Sequence, residues 1–236
     1  MSTMMALVKQ DIKFQVRHGF YLAYAVITMM YIASLSFLPE QAKPLAASLI
    51  IFSDPSALGY FFIGGIILLE KGQNIFDNLF VTPVQIRDYI MSKVLSLGLI
   101  SLITSVIIHG TVFGFAHLTF LFISGVLLTS VLFTLIGMAV AVRCQSLNGF
   151  FLLSPLYSVW FCLPLLGFLN IYDSPLYYVL PTQASLLLIS SPFSPLEKSL
   201  ILLLFFTLFS WIGLAYMWAF RSFRHHIVFK MGGSMV

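Results

Sequence analysis

The stretch EKGQNIFDNLFVTPVQIRDYIMSK, residues 70–93, lies between two long apolar runs and concentrates charge in a chain that has little of it. Its side chains divide at helical spacing into an apolar and a polar face: Ile75, Phe76, Leu79 and Phe80 against Gln73, Asn74, Asp77 and Asn78. The Thr82-Pro83 step ends this helix, because a residue that precedes proline disfavours helical backbone. The stretch therefore predicts an amphipathic helix at the surface of an apolar protein.

The chain as a whole is too apolar for a soluble fold. Of its 236 residues, 60% are hydrophobic and only 8% are charged, whereas soluble domains are about a quarter charged. A helix of roughly 20 apolar residues crosses the hydrocarbon core of a bilayer. The length therefore allows about six such spans and leaves no room for a separate soluble catalytic domain.

The apolar runs predict an all-α, polytopic membrane protein that forms one transmembrane domain over residues 1–236. Six spans are expected, at residues 19–38, 49–69, 94–116, 118–142, 149–169 and 199–220. Residues 1–18 are too polar to span the membrane, and their amphipathic pattern predicts a helix in the membrane interface. Only a tight turn fits between the third and fourth spans, so these two are expected to form a helical hairpin.

Proline and glycine mark the irregular points of the predicted spans. The Asp54-Pro55 step interrupts the start of the second span and predicts a helix that begins there. Pro155 and Pro164 predict a kink in the fifth span. Residues 170–198 contain four prolines and a short apolar piece, which predicts re-entrant or interfacial short helices. Three glycines in the second span favour close helix packing: Gly59, Gly64 and Gly65.

The distribution of lysine and arginine predicts the orientation in the membrane. With the N-terminus inside, ten of the 12 basic residues lie on the cytoplasmic side: Lys9, Lys13, Arg17, Lys71, Arg87, Lys93, Arg143, Arg221, Arg224 and Lys230. Lys43 and Lys198 lie outside. Because cytoplasmic loops are rich in basic residues, we expect a multi-pass protein of the cell membrane with both termini in the cytoplasm. Residues 70–92 then lie on the cytoplasmic side, and residues 170–198 face outward.

The sequence contains no motif for enzymatic chemistry. It has no phosphate-binding loop, no zinc-protease helix and no hydrolase nucleophile elbow. We therefore expect neither an enzyme nor a cofactor or metal site, and the scattered basic residues do not indicate a nucleic-acid partner. His109, within the third span, is expected to be neutral and hydrogen-bonded near Thr111. Glu70 lies at a membrane boundary and needs a basic partner, for which Lys71, Arg87 and Lys93 are the candidates.

A motif in the opening stretch resembles a known family. In order along the chain it consists of Glu70, Gly72, the run Leu79-x-Val81-Thr82-Pro83-Val84, and Lys93. Together with the interfacial first helix and the proline-rich outer segment, this order resembles the membrane subunits of type-2 ATP-binding-cassette exporters. The segments DIKFQVRHGFY, FSDPSALGYFF, LLEK and YIMSKVLSL are, more narrowly, similar to a subgroup of fluoroquinolone or multidrug export permeases.

The resemblance implies an exporter half that works with other subunits. The expected partners are a cytoplasmic ATP-binding-cassette ATPase that uses ATP and Mg, a second copy of the chain or a related permease, and membrane lipids. The resemblance implies that residues 70–92 form a cytoplasmic coupling region for the ATPase. The residues expected to couple to it are Glu70, Gly72, Phe76, Leu79, Thr82, Pro83 and Lys93. The substrate is expected to be a hydrophobic or amphipathic compound such as a drug. Candidate pathway residues, chosen because broken helices often line pathways, are Pro155, Tyr157, Trp160 and Pro164.

Two other classes of function stay open at the level of sequence. A secondary transporter or channel would act without a motor, and it requires acids or a polar stripe inside the spans, which this sequence does not show. A membrane assembly factor would transport nothing. The subunits that co-purify with the chain distinguish the three classes.

Overall fold

The computed structural model describes residues 3–53, 59–76 and 84–228, and throughout these ranges the regular structure is helical. The helices are α1 Thr3–Arg17, α2 Phe20–Ser36, α3 Lys43–Ser53, α4 Gly59–Gly72, α5 Ile86–Phe113, α6 Phe120–Ala141, α7 Leu147–Cys162, α8 Pro164–Phe168, α9 Pro181–Ile189 and α10 Lys198–Phe223. Short 3₁₀ helices cover Phe115–His117 and Pro175–Val179, and a π-helical turn, Arg224–Val228, follows α10. The prediction of an all-α fold is confirmed for the described ranges.

Three helices, α5, α6 and α10, are individually long and apolar enough to cross a membrane. A fourth candidate is the pair α1 and α2, which meet at a bend of 66°. Gly19 lies at this bend with a φ of 76°, a left-handed conformation that glycine adopts without steric cost. The other apolar helices are shorter, and α4, with 14 residues, extends only about 21 Å. The described helices thus provide three or four candidate spans rather than six continuous ones.

The predicted second span, residues 49–69, is divided between two helices. α3 begins at Lys43, inside the stretch expected to be a loop, and ends at Ser53. α4 begins at Gly59. The two helices lie on either side of the Asp54-Pro55 step, where the sequence predicted an interruption. The expected cap at Asp54-Pro55 lies outside the described residues.

α6 is the central helix of the bundle, and it contacts α4, α5, α9 and α10. Its second half is buried on every side, from Leu132 to Ala141. Gly137 permits this packing, because a Cβ atom there would lie 2.6 Å from the carbonyl oxygen of Tyr60 in α4. The backbones of α4 and α6 therefore touch at this point, as small residues allow in membrane helices.

Two adjacent glycines of α4 differ sharply in their surroundings. A Cβ atom on Gly64 would lie 2.3 Å from the buried ring of Phe150, whereas one on Gly65 would meet no atom within 4 Å. We expect Gly64→Ala to lower the free energy of unfolding by about 1–3 kcal/mol through overpacking. Thermal unfolding in detergent measures this effect. Gly65→Ala is the matched control and should match or exceed the wild-type stability; equal losses in both variants would contradict this packing.

The basic segments of the sequence come together at one end of the bundle, here called the basic end. Lys71, near the end of α4, donates to the carbonyl oxygens of Val142 and Cys144 at 3.3 and 2.9 Å, just after α6. Arg143 donates to the hydroxyl of Ser222 near the end of α10. The loop before α6 and the segment after α9 meet at the opposite end. There the hydroxyl oxygens of Thr119 and Ser191 are 3.0 Å apart.

Residues 170–198 contain two short helices, the 3₁₀ helix Pro175–Val179 and α9. α9 is buried along almost its whole length and contacts α6, α10, α3 and α8. A helix that lies in the membrane interface keeps one polar face exposed. The enclosure of α9 therefore favours the re-entrant alternative over the interfacial one.

Candidate functional site

A buried lysine connects three helices at the basic end. Lys93 of α5 is 2% exposed, and its Nζ lies 2.6 Å from Asp11 Oδ1 of α1 and 2.5 Å from Glu70 Oε1 of α4. Removing a charge from water costs several kcal/mol unless it is paired and hydrogen-bonded. Lys93 therefore holds α1 and the end of α4 against the start of α5. Asp11, Glu70 and Lys93 are called the ionic cluster below.

Both carboxylate oxygens of Glu70 have a hydrogen-bond donor. Its second oxygen accepts a hydrogen bond of 2.5 Å from the hydroxyl of Tyr89, which lies one turn before Lys93 on α5. The Nζ of Lys93 also lies 5.1 Å from the centre of the Tyr89 ring, within the range of a cation–π contact. The position of Glu70 is thus fixed by two groups of the same helix.

The polar contacts of α1 with α5 are incomplete. Gln15, one turn after Asp11, donates from Nε2 to Ser96 Oγ at 2.9 Å, which gives a second link between α1 and α5. In the described residues, however, Asp11 Oδ2 and Gln15 Oε1 are buried without a hydrogen-bond donor. Two carboxylates also face one ammonium, so the fully ionised cluster carries one excess negative charge.

An aromatic cluster lies next to the ionic cluster. Phe76 is 3% exposed, and its ring centre lies 5.6 Å from that of Tyr89 and 5.5 Å from that of Phe223 at the end of α10. The rings of Tyr89 and Phe223 are 5.1 Å apart. Phe76 was expected to present its ring to an ATPase, but the structure buries it against α5 and α10. Its direct role is therefore packing within this chain.

The other predicted coupling residues lie in different surroundings. Gly72 is exposed at the end of α4, and Asn74 follows in a turn with a φ of 53°, which asparagine tolerates. Lys71 contacts the carbonyls after α6, and Arg87 lies 3.9 Å from Asp88. Lys93 is therefore the basic partner of Glu70 among the three candidates. The predicted residues Leu79, Thr82 and Pro83, like most of the expected coupling helix, lie outside the described residues.

The sequence reasoning missed Asp11, Gln15, Tyr89 and Phe223. Asp11 belongs to the segment that was expected to be an interfacial helix, but the structure buries its side chain, with 8% exposed. A signal was present, because Asp11 is the only acid among the basic residues of α1. An acid on a surface that meets anionic lipid is electrostatically unfavourable, which points to a basic partner inside the protein.

A model of the Fluoroquinolones export permease protein family matches residues 2–231 of the chain. The chain belongs to this family. Among curated proteins it is similar to the Fluoroquinolones export permease proteins of two Mycobacterium tuberculosis strains, CDC 1551 / Oshkosh and ATCC 25618 / H37Rv. It is 25% identical to each over 194 residues, which cover 82% of both chains. Membership of a permease family makes the chain a membrane transporter rather than an enzyme.

The predicted pathway residues of this permease do not converge on one cavity. α7 continues through Pro155, which is exposed, and ends at Cys162 just before the buried Pro164. Trp160 is 68% exposed and points away from the bundle. Tyr157 is half-buried, and its ring centre lies 5.4 Å from that of Trp218 in α10. Of the two prolines that predicted a kink in the fifth span, Pro164 lies where one helix ends and the next begins, whereas Pro155 lies within a continuous helix.

A cavity of about 210 Å³ lies on another face of α7 in the permease. Its lining is mostly aromatic and consists of Phe52, Tyr60, Phe61, Phe133, Ser158, Phe161 and Cys162. Tyr60 lies ten residues before Glu70 on α4, so the cavity is about 15 Å from the ionic cluster along the helix axis. α7 thus borders a cavity, but through Ser158, Phe161 and Cys162 rather than through the predicted residues.

His109 of the permease does not have the hydrogen bond that was expected for it. It is completely buried, and neither ring nitrogen has a hydrogen-bond partner among the described residues. Thr111 instead donates to carbonyl oxygens of its own helix, those of Ile107 and Ile108. Three rings surround His109, with centres at 4.9 to 5.6 Å: Phe113, Phe122 and Phe193. The prediction of a hydrogen-bonded His109 is therefore wrong.

Proposed function

We propose that this permease is the membrane subunit of an ATP-binding-cassette drug exporter whose ATP is hydrolysed by a separate cytoplasmic ATPase. The observation that carries the proposal is the ionic cluster. It joins α1, the end of α4 and the start of α5, which are the elements nearest to the predicted coupling region. A force applied to any one of them is therefore transmitted to the other two.

The cluster is suited to transmitting force because it is expensive to break. Separating Lys93 from its carboxylates leaves uncompensated buried charge, at a cost of about 3–5 kcal/mol. The three helix ends are therefore expected to move together. α5 then carries this motion across the membrane, because its 28 residues form one continuous helix of about 42 Å.

The aromatic cluster extends the same connection to α10. Phe76 follows α4 directly, and it packs on Tyr89 of α5 and on Phe223 of α10. We propose that an ATPase binds the coupling region, and that the buried ring of Phe76 transmits its motion to α5 and α10. On this proposal, the basic end faces the cytoplasm together with both termini. The proposal assigns ATP and Mg to the partner rather than to this chain.

The proposed substrate is a hydrophobic or amphipathic drug. The two relatives are named as fluoroquinolone export permeases, and the mostly aromatic cavity beside α7 suits a compound with flat rings. A second copy of the chain or a related permease would complete the pathway. Six membrane crossings, with α3–α4 and α7–α8 as broken spans, are the topology that this proposal requires.

The proposal is tested by purifying the tagged permease from its native host in a mild detergent. We expect an ATP-binding-cassette ATPase to co-purify, and drug efflux from proteoliposomes that contain both proteins to require ATP. A matched preparation with a non-hydrolysable ATP analogue is the control. If efflux persists without ATP and stops when an ionophore collapses the proton gradient, the permease is a secondary transporter and the proposal is wrong.

A further inference from the structure

Two arginines at the basic end have no acidic partner among residues 3–53, 59–76 and 84–228. Nε and Nη2 of Arg143, which follows α6, donate to Ser222 Oγ at 3.2 and 3.0 Å, and its Cζ lies 5.2 Å from the centre of the Trp218 ring. Arg221 directly precedes Ser222 on α10 and is exposed. None of the ion pairs within 4.0 Å in the described residues includes Arg143 or Arg221.

The carboxylates of the described residues are engaged or located elsewhere. Asp11 and Glu70 are paired with Lys93, and Asp88 lies beside Arg87. The remaining described acids, Glu40, Asp173 and Glu197, belong to the segments at the opposite end. In the described part of the chain, the corner between α6 and α10 is therefore positively charged. Arg143, Trp218, Arg221 and Ser222 are called the arginine corner below.

An exposed apolar surface leads directly to the arginine corner. Leu214 and Met217 of α10 are 53% and 49% exposed. Together with Arg221 they lie at positions i, i+3 and i+7, on one face of the helix. From Leu214 to Arg221 this face extends about 10 Å along the axis. The apolar side chains lie further from the basic end of the bundle, and the cation lies nearer the end of the helix. A phospholipid beside this face would place its acyl chain and its anionic headgroup in the same order.

We propose that the arginine corner binds the headgroup of an anionic phospholipid, whose acyl chain lies along Leu214 and Met217. A guanidinium binds phosphate in a planar, bidentate manner. Ser222 and the Trp218 ring fix the plane of Arg143 while occupying only two of its N–H groups, so the other donors are available. Basic sites at helix ends attract anionic lipids in this way, and tryptophan favours the same interface.

A lipid explains this surface better than an acidic segment of a partner protein does. An acidic segment would account for the two arginines, but it would leave the apolar face of Leu214 and Met217 without a role. The lipid accounts for both. The inference does not depend on the proposed motor, because it concerns contacts between the permease and its membrane.

The experiment compares the binding of short-chain phosphatidylglycerol and phosphatidylcholine to the detergent-solubilised permease. Native mass spectrometry counts the bound lipids, and thermal unfolding measures the stabilisation that each lipid confers. We expect phosphatidylglycerol to be preferred. Because one basic residue near an anionic headgroup contributes about fivefold in affinity, Arg143→Gln should weaken its binding about fivefold. The double variant Arg143→Gln/Arg221→Gln should weaken it about 25-fold if the two effects add.

Arg87→Gln is the matched control, because Arg87 is exposed at the same basic end but lies next to Asp88. It should retain the wild-type affinity for phosphatidylglycerol. Arg143→Lys keeps the charge without the planar fork and should bind at an intermediate level, which separates loss of binding from misfolding. Equal losses in Arg87→Gln and Arg143→Gln would overturn the proposal. Unchanged phosphatidylglycerol binding in the double variant, together with loss of a co-purifying protein, would also overturn it, because the corner would then bind an acidic protein segment.

Discussion

Replacing Lys93 with methionine is expected to destabilise the permease by about 3–5 kcal/mol, the cost of removing one member of a buried ion pair. The variant leaves Asp11 and Glu70 facing each other with no cation between them. Lys93 is 2% exposed, so water cannot replace the lost ammonium. Thermal unfolding in detergent measures the loss.

A second variant tests whether the loss of stability comes from unpaired buried charge. The triple replacement Asp11→Asn, Glu70→Gln and Lys93→Met removes every charge of the ionic cluster, and neutral replacement of a buried cluster often restores stability. We therefore expect the triple variant to unfold close to the wild-type temperature. If Lys93→Met alone proved as stable as the wild type, Lys93 would not be buried between two ionised carboxylates.

Truncating Phe223 to alanine is expected to cost about 3–5 kcal/mol, as is usual for a buried phenylalanine. Its ring is fully buried against Phe76 and Tyr89. Because these contacts join α10 to the coupling region, Phe223→Ala should also reduce the stimulation of the ATPase by drug. Denaturant unfolding and ATPase assays in proteoliposomes measure the two effects.

The control for Phe223 is another phenylalanine of the same helix. Phe206 of α10 is 72% exposed, so Phe206→Ala creates no internal cavity. Its effect on stability should stay within about 0.5 kcal/mol, as for ordinary surface positions. If the two alanine variants were equally stable, the aromatic cluster would not hold α10 to the coupling region.

Local pattern was sufficient to predict the helices, because apolar periodicity depends only on neighbouring residues. The polar first segment was expected to be a helix, and α1 covers Thr3–Arg17. The division of the second predicted span was partly visible in the Asp54-Pro55 step. The start of α3 at Lys43 could not be predicted from the sequence, because Pro44 fits the first turn of a helix as well as it fits a loop.

Within the candidate site, the sequence predicted a contact only where a charged residue required a partner of opposite charge. Glu70 required a cation, and Lys93 was among the three candidates that the sequence offered. Asp11 contacts Lys93 from 82 residues away in the sequence, and no local spacing reveals such a contact. The same limit applies to Phe76, because its ring packs on Phe223, which is distant in the sequence.

The central claim is that the ionic cluster couples ATP hydrolysis to transport. It is tested most directly by the ratio of drug transported to ATP hydrolysed, in proteoliposomes that contain the ATPase and the neutral triple variant at Asp11, Glu70 and Lys93. The account predicts that hydrolysis continues and that this ratio falls about tenfold, the factor for loss of about 1.4 kcal/mol of coupling free energy. A ratio equal to that of the wild type in a stably folded triple variant would contradict it.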